Sequence, residues 1–167
     1  MREQLEEREM VLKVQSQELN NLEQYTRRNS VRIYGVDDRD KKETCIEPAR
    51  KVVKLAKDKL ELDITTADID IAHRTGAFTG DGNRPIICKF VSRITKHEVV
   101  KARRKLKNTA TVIKEDLTVQ NAKLLAKTKE CETVAKAWSD EGKIIALLEG
   151  EEKKKVVINW KTDLSKL

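Results

Sequence analysis

The sequence has few of the residues that usually interrupt or cross-link a fold. Its 167 residues include two prolines, six glycines, three cysteines and only 4% aromatics. Scarce proline and glycine exclude a long low-complexity linker, and scarce aromatics predict a core built mostly from aliphatic side chains. Apolar and charged residues each make up 38%, so the chain is highly charged but foldable, and its length suits one domain or two small ones.

Neither disulfides nor a membrane segment are expected. Cys45, Cys88 and Cys131 are odd in number, lie far apart and lack metal-ligand spacing, so we interpret them as reduced, buried thiols. No apolar run is long enough to span a bilayer, and the charged N-terminus does not resemble a signal peptide. We therefore expect a soluble intracellular protein with no membrane partner.

Recognisable catalytic motifs are also missing. The sequence contains no GxxxxGK phosphate loop, no HExxH and no GxSxG. His73 and His97 have no nucleophile indicated beside them, and we interpret both as ordinary surface or strand residues. Asp68 and Asp70 form a DxD pair that could hold Mg²⁺ in a nuclease, but a single pair is a weak signal and solvated acids are favoured. We expect no enzymatic activity, metal or cofactor.

Positive charge is concentrated in one segment. Residues 84–114 hold ten Lys or Arg and a single acid, Glu98, which gives a formal charge of +9 where the whole chain has +7. Crowded cations repel one another and are more stable facing a polyanion. Nucleic acid is the commonest such partner because each neutralised phosphate releases counterions. The segment therefore favours nucleic-acid binding over a solvated basic helix.

A heptad pattern occupies residues 1–28. Leucines recur at a period of 3.5, which indicates a coiled coil, and we expect it to be the end of a longer one. Arg8 and Gln15 fall in the same seam and weaken it, and three heptads are marginal alone. A single amphipathic helix packed on its own domain is the alternative. The candidate oligomerisation residues are Leu5, Leu12, Leu19 and Leu22.

Residues 29–116 predict the order βαββαβ, a four-stranded sheet backed by two helices, which is the order of an RNA-recognition motif. Alternation predicts strands at 31–36, 69–74, 85–91 and 110–114. Capping boxes at Thr44–Glu47 and Thr95–Glu98 predict the helix starts, the second helix running to about Lys107. The inward faces are Ile46, Ala49, Val53, Ala56 and Leu60, then Val99, Ala102 and Leu106.

Residues 117–167 predict a small helix-plus-hairpin lobe, so the fold class is α+β with three segments. Thr118 caps a helix that stops near Gly142, and strands follow at 143–148 and 155–160. The helix stripe is Val119, Ala122, Leu125, Val134 and Trp138.

The predicted sheet lacks the aromatic residues on which RNA-recognition motifs stack bases. Arg32 stands where the first-strand aromatic belongs, Pro85 and Ile87 occupy the third-strand positions, and Tyr34 is the sheet aromatic on the face of Arg32. Each lost stack removes about 1–3 kcal/mol. Binding must then depend on Arg and Lys, with strong salt dependence and weak base preference.

The candidate nucleic-acid contacts are cations on this sheet, around the glycine loop at 76–83 and along the basic helix. Cations at a helix end, such as Arg27 and Arg28, are also favoured by the helix dipole alone. The candidates are Arg27, Arg28, Arg32, Tyr34, Arg74, Arg84, Lys89, Lys101, Arg103, Arg104, Lys107 and Lys123.

Five segments in register resemble the RNA-binding protein encoded by the first open reading frame of LINE retrotransposons. They are LEQYTRRNSVRIYGV, DIDIAHRTG, RPIICKFVS, KHEVVKARRKLK and IKEDLT, which span residues 19 to about 118. The resemblance implies a coiled-coil homotrimer with an RNA-recognition motif and a carboxy-terminal domain. It also implies binding of single-stranded RNA and DNA, nucleic-acid chaperone activity, and a cytoplasmic and nuclear ribonucleoprotein that engages the element's reverse transcriptase.

The same resemblance suggests roles for individual residues. Arg27 and Arg28 match the basic pair that enters the first strand, Arg74 matches the second-strand arginine, and Arg104 matches the basic-helix arginine. Lys123 is the nearest match to an arginine early in the carboxy-terminal helix. The glycine loop lacks the arginine cluster of some mammalian relatives. The rival hypothesis is a coiled-coil protein-interaction adaptor that does not bind nucleic acid.

Overall fold

The computed structural model describes residues 1–82, 84–150 and 154–167, and it divides the chain into two compact units. The sheet unit is Arg28–Asp116, and the terminal unit combines Met1–Arg27 with Leu117–Leu167. The fold is α+β, with a long N-terminal helix and antiparallel sheets, as the sequence predicts. Within the described ranges, no helix is both long and apolar enough to cross a bilayer.

The sheet unit has four antiparallel strands in the spatial order β2-β3-β1-β4. Each strand lies within two residues of its predicted bounds. The elements are β1 (Ser30–Tyr34), α2 (Glu47–Leu55), β2 (Ile69–Arg74), β3 (Ile86–Phe90), α3 (Arg93–Ala102) and β4 (Val112–Glu115).

Strand alternation gives this sheet two different faces. The inner face packs under α2 and α3 as an aliphatic core around Val31, Ile33 and Phe90. Cys88 belongs to this core, and burial raises the pKa of its thiol to about 12. Cys45, in contrast, is exposed, so the prediction of buried thiols is wrong for it. The outer face carries Arg32, Tyr34, Ile87, Lys89 and Lys114.

Helix α2 departs from its predicted start. The Glu47 carboxylate accepts the Thr44 backbone N–H, but Ile46 occupies the N-cap without a side-chain bond, so only part of the capping box forms. The helix starts at Glu47, later than the box implies, so Ile46 lies before it and is exposed. Val52 and Leu55 are buried on the inward face. The helix continues as a π turn, Ala56–Leu60.

Helix α3 also begins at a different cap. Ser92, and not Thr95, is the N-cap, and its hydroxyl accepts the Ile94 N–H at 3.1 Å. The helix then tightens into a 3-10 turn, Arg103–Leu106. Val99 and Leu106 are buried and Ala102 packs against the core, as the predicted stripe requires.

The terminal unit contains a three-stranded sheet where a hairpin was predicted. The segment Val134–Asp140 is a strand and not the end of a helix, because it pairs along its length with the strand that follows. Helix α4 is capped by Thr118 as predicted but ends at Lys129. The elements are α1 (Arg2–Thr26), α4 (Val119–Lys129), β5 (Val134–Asp140), β6 (Lys143–Leu148) and β7 (Lys155–Ile158).

Helix α1 contacts α4 through polar side chains. The Thr118 hydroxyl donates to Asn20 Oδ1 at 2.6 Å, and Asn20 Nδ2 donates to Asn121 Oδ1 at 3.0 Å. Gln24 Oε1 accepts the Thr118 backbone N–H at 2.9 Å. Asn20 and Thr118 are buried. The sequence predicts residues 1–28 as a coiled-coil segment, and in the structure Met1–Arg27 belongs to the same compact unit as Leu117–Leu167.

The leucine stripe of α1 lies on another side of the helix. The side chains of Leu5, Leu12, Leu19 and Leu22 are 56–69% exposed. With 3.6 residues per turn, the centre of this stripe is about 120° from the face that carries Asn20 and Gln24. Contact with α4 therefore leaves the leucines uncovered.

Candidate nucleic-acid interface

Four cations lie at the end of the α3 region, three of them exposed and Arg103 half-buried. Val99 and Leu106 point inward, so the opposite side of the helix and its 3-10 turn faces solvent. In the described part of the chain, no ion pair joins any of the four to an acid. The helix dipole favours cations at a helix C-terminus, but this effect alone does not account for four cations that form no ion pair in the described residues. These residues, the basic turn, are Lys101, Arg103, Arg104 and Lys107.

Lys105 lies in the same 3-10 turn but is committed elsewhere. Its Nζ lies 2.6 Å from Glu61 Oε2 and donates to the Leu60 carbonyl at 3.1 Å. The hydrogen bond from Lys105 lowers the pKa of Glu61. Lys105 therefore fixes the basic turn against the end of the α2 region.

The outer face of the sheet holds further cations whose acid partners lie at its margins. Arg32 Nε is 2.7 Å from Asp116 Oδ1, and Lys89 Nζ is 3.1 Å from Asp70 Oδ2. The Lys89–Asp70 pair is exposed and contributes little stability, so a phosphate can replace its carboxylate at low cost, whereas Asp116 is buried and its pair with Arg32 is costlier to break. Lys114 Nζ lies 5.4 Å from the centre of the Tyr34 ring. This Lys–Tyr contact was not predicted, although strand alternation already put both residues on one face.

Arg74 is not available to a ligand. Its side chain is 4% exposed, Nε lies 3.0 Å from Glu43 Oε2, and Nη1 donates to the Val36 carbonyl at 2.9 Å. A second N–H group bonds the Asp37 carbonyl. Arg74 thus satisfies loop carbonyls and buried carboxylates, and the predicted phosphate contact would require these bonds to break.

Arg84 is held by a bidentate ion pair. Its Nε and Nη2 donate to the two oxygens of buried Asp38 at 2.7 and 2.9 Å, and the guanidinium lies 5.1 Å from the Phe78 ring centre. The hydrogen bond from Arg84 lowers the pKa of Asp38 despite burial. Burial by itself would raise the pKa of Glu43. The hydrogen bonds from Arg74 and Lys51 together have the larger effect, so the pKa of Glu43 lies below its ordinary value. Arg84 therefore anchors its loop through Asp38.

Lys96 is the most deeply buried cation of the basic segment. Its Nζ lies 2.5 Å from Glu115 Oε1, and the two side chains are 2% and 4% exposed. The +9 charge of residues 84–114 is thus reduced by acids outside that segment. The cations that pair with such acids are Arg84, Lys89, Lys96 and Lys105.

The remaining candidates are spread over the two units. Arg27 Nη2 lies 2.6 Å from Glu23 Oε1, and its Nη1 donates to the Leu117 carbonyl. Arg28 is half-buried at the start of the sheet unit, and Lys123 is exposed on α4. The structure brings the basic turn and the outer-face residues together within the sheet unit but leaves Arg27 and Lys123 in the terminal unit.

The DxD pair is occupied by other contacts. Asp68 accepts the Thr65 N–H at 2.8 Å and its hydroxyl at 3.0 Å, forming the cap of a short turn. Asp70 pairs with Lys89. In both residues the oxygen that makes these contacts is Oδ2. No protein-family model matches the chain, and no curated protein is significantly similar to it.

Proposed function

We propose that this protein binds single-stranded RNA and DNA with low base specificity through the sheet unit, which is related to RNA-recognition motifs. The observation that carries the proposal is the basic turn, four cations without acid partners in the described residues. Flexible single strands can follow such a basic surface because their backbone charge is the feature recognised. Arg32, Lys89 and Lys114 add cations on the outer face, the side of the sheet opposite α3.

The topology of the sheet unit supports the relationship to RNA-recognition motifs. Its βαββαβ order and strand order β2-β3-β1-β4 leave one face uncovered by the helices, the face that binds bases in that motif. Tyr34 is the aromatic residue on that face, beside Lys114. A single ring offers at most one stack, which is the physical reason to expect weak base preference.

We further propose that α1 assembles the protein into a trimer and that the trimer is the nucleic-acid chaperone of a LINE-type retrotransposon. The exposed leucine stripe supports self-association, because exposed leucines at heptad spacing bury their surface most simply against other helices. A trimer would present three basic turns to one strand, and such multivalency raises affinity without any new contact.

The test is a salt titration of the affinity for mixed-sequence single-stranded RNA, followed by fluorescence anisotropy. Four contacts at about 0.7 each predict that the basic turn contributes roughly −2.8 to the slope of log K against log salt. Replacing its four cations with Gln should remove that contribution. A charge-matched control replaces four exposed lysines elsewhere in the sheet unit, Lys41, Lys42, Lys54 and Lys57, with Gln and should retain most of the slope.

A flat salt response of the parent chain would refute the proposal. Equal losses in the two variants would show that net charge, and not the basic turn, determines binding.

The alternative function, a coiled-coil protein-interaction adaptor, is favoured by one observation: Ile71 and Val112 are exposed on the outer face, which also carries Ile87. It becomes the better explanation if RNA does not bind while the chain stays folded.

A further inference from the structure

The terminal unit contains a groove that is lined by apolar, aromatic, amide and basic side chains. It lies between α1, α4 and the edge of the small sheet, and its volume is about 680 Å³. Volumes of this order are typical of sites for small organic ligands. Its apolar floor includes Leu124, Ile144 and Ile158, and one wall includes the indole of Trp160.

The charge of the groove has one sign. Four lysines line it, and no Asp or Glu does so among the residues that the structure describes. Lys161, next in sequence to Trp160, adds a fifth ammonium, 5.2 Å from the indole ring centre. Without acids nearby, these ammonium groups favour an anion. The lining lysines are Lys13, Lys123, Lys127 and Lys143.

The polar lining includes side-chain amides. Gln17 and Asn21 on α1 and Gln120 and Asn121 on α4 lie along the groove. Asn121 is already bonded to Asn20, Gln24 and the Gly142 carbonyl. Among the described residues no bond occupies Gln17 Oε1, Asn21 Nδ2 or Gln120 Oε1, so these three groups can bond the edges of unpaired bases. An acyl anion would match the lysines and the apolar floor but would leave these amides without a function in binding.

We infer that the groove receives a nucleotide of a bound single strand, with the base against Trp160 and the apolar floor and the phosphates on the lysine rim. The inference rests on the proposed function and deepens it by adding a base-stacking site outside the sheet unit. It also gives the chain a second aromatic for stacking besides Tyr34 on the outer face of the sheet unit, and base–aromatic stacking tolerates any sequence.

The position of the groove is compatible with self-association of α1. Its α1 lining lies mostly on the side of Asn20 and Gln24, which is turned away from the leucine stripe. Leu12 is the residue that the groove and the stripe share.

The test uses the intrinsic fluorescence of the full chain, which has two tryptophans. Trp138→Phe leaves Trp160 as the reporter, and Trp160→Phe leaves Trp138, which lies opposite Ile145 in the small sheet and does not line the groove. Saturation with oligouridylate should quench Trp160 emission strongly and leave Trp138 emission unchanged. Trp160→Leu should weaken oligouridylate binding about tenfold, while the matched control Trp138→Leu should not.

A second pair of variants tests the lysine rim. Lys123→Gln with Lys127→Gln should lower the slope of log K against log salt by about 1.4, since two phosphate contacts are lost. Lys136→Gln with Lys154→Gln removes the same charge from exposed sites outside the groove and should leave the slope nearly unchanged. Circular dichroism of each variant confirms that it is folded.

The outcomes separate this inference from the proposed function. If oligouridylate binds but Trp160 emission stays constant, the groove site is refuted and the proposed function survives. If oligouridylate does not bind the parent chain, both are refuted. If free uridine monophosphate quenches Trp160 as strongly at the same concentration of base, the occupant is a free nucleotide and the inferred strand is refuted.

Discussion

Replacing Lys96 with methionine removes one partner of a buried ion pair and tests how α3 is held on the sheet. Lys96 Nζ and Glu115 Oε1 are 2.5 Å apart, on side chains that are almost completely buried. Methionine keeps the length of the aliphatic stem but leaves the Glu115 carboxylate without that ammonium. Breaking a buried pair in this way costs about 3–5 kcal/mol, because the carboxylate stays desolvated while it loses the ammonium that faces it.

The double variant carries the sharper expectation. Lys96→Met with Glu115→Leu removes both charges and fills the space with apolar groups, a change that is often neutral or stabilising. The two substitutions should therefore be strongly non-additive, the double variant being more stable than Lys96→Met alone. A loss of 3–5 kcal/mol is a large share of the roughly 5–15 kcal/mol that stabilises a typical domain.

Urea denaturation followed by far-UV circular dichroism measures this effect. With a slope of about 2 kcal/mol per molar urea, Lys96→Met should lower the midpoint by roughly 2 M. Both tryptophans lie outside residues 28–116, so their fluorescence provides an internal comparison. A single variant as stable as the parent, or a double variant whose loss equals the sum of the two singles, would refute the reasoning.

Three further predictions concern the anchored loop and α1. Because the pKa values of Asp38 and Glu43 are lowered in the folded state, their contribution to stability is present above their ordinary values of 3.8 and 4.5 and is lost as pH falls through the lowered values. The urea midpoint should thus drop at acidic pH, and less steeply in Asp38→Asn. Arg74→Ala should destabilise the chain by a few kcal/mol, because buried carboxylates lose their partner. The RNA affinity of the folded fraction should stay unchanged. A loss of affinity without a loss of stability would contradict the structural role of Arg74. Leu12→Ala with Leu19→Ala should lower the mass measured by light scattering without changing the circular dichroism of the terminal unit, whereas an unchanged mass would exclude the stripe as the interface.

The strands of the sheet unit were predictable because alternation is a local signal. Val31 and Ile33 are buried and Arg32 between them is not, which is the two-residue period that the sequence displays. Helix starts were less predictable, because several residues near each start could serve as a cap. Ser92 and Thr95 both precede the apolar positions of α3, and only the geometry of the chain leaving β3 selects Ser92.

The segment from Val134 to Asp140 shows how tertiary pairing overrides a sequence pattern. Val134 and Trp138 are four residues apart, so they fit a helical stripe as well as a strand. Pairing with β6 determines the outcome, since Val134 lies opposite Leu148 and Trp138 opposite Ile145. Such partners are distant in sequence, and β propensity depends strongly on this context.

The charge of the basic segment was predictable but its availability was not. Counting residues 84–114 finds ten cations, whereas the acids that bind several of them come from elsewhere in the chain: Asp38 is 46 residues from Arg84, and Glu61 is 44 residues from Lys105. Helical periodicity does indicate part of the basic turn, because Lys101 and Arg104 fall opposite Val99 and Leu106, whereas Arg103 lies one turn after Val99 and is half-buried. The groove beside Trp160 left no such signal, since three separate elements form it.

The amide-mediated contact between α1 and α4 has a consequence for how the protein can change. Thr118, Asn20 and Gln24 hold the helix to its own chain with groups that suit water as well as each other. In the trimer that we propose, substitutions along the leucines can then strengthen or weaken the contact between copies while each protomer keeps its fold. Subunits could also exchange between such trimers without unfolding. The number of subunits in an assembly could then change while the fold of each subunit stays the same.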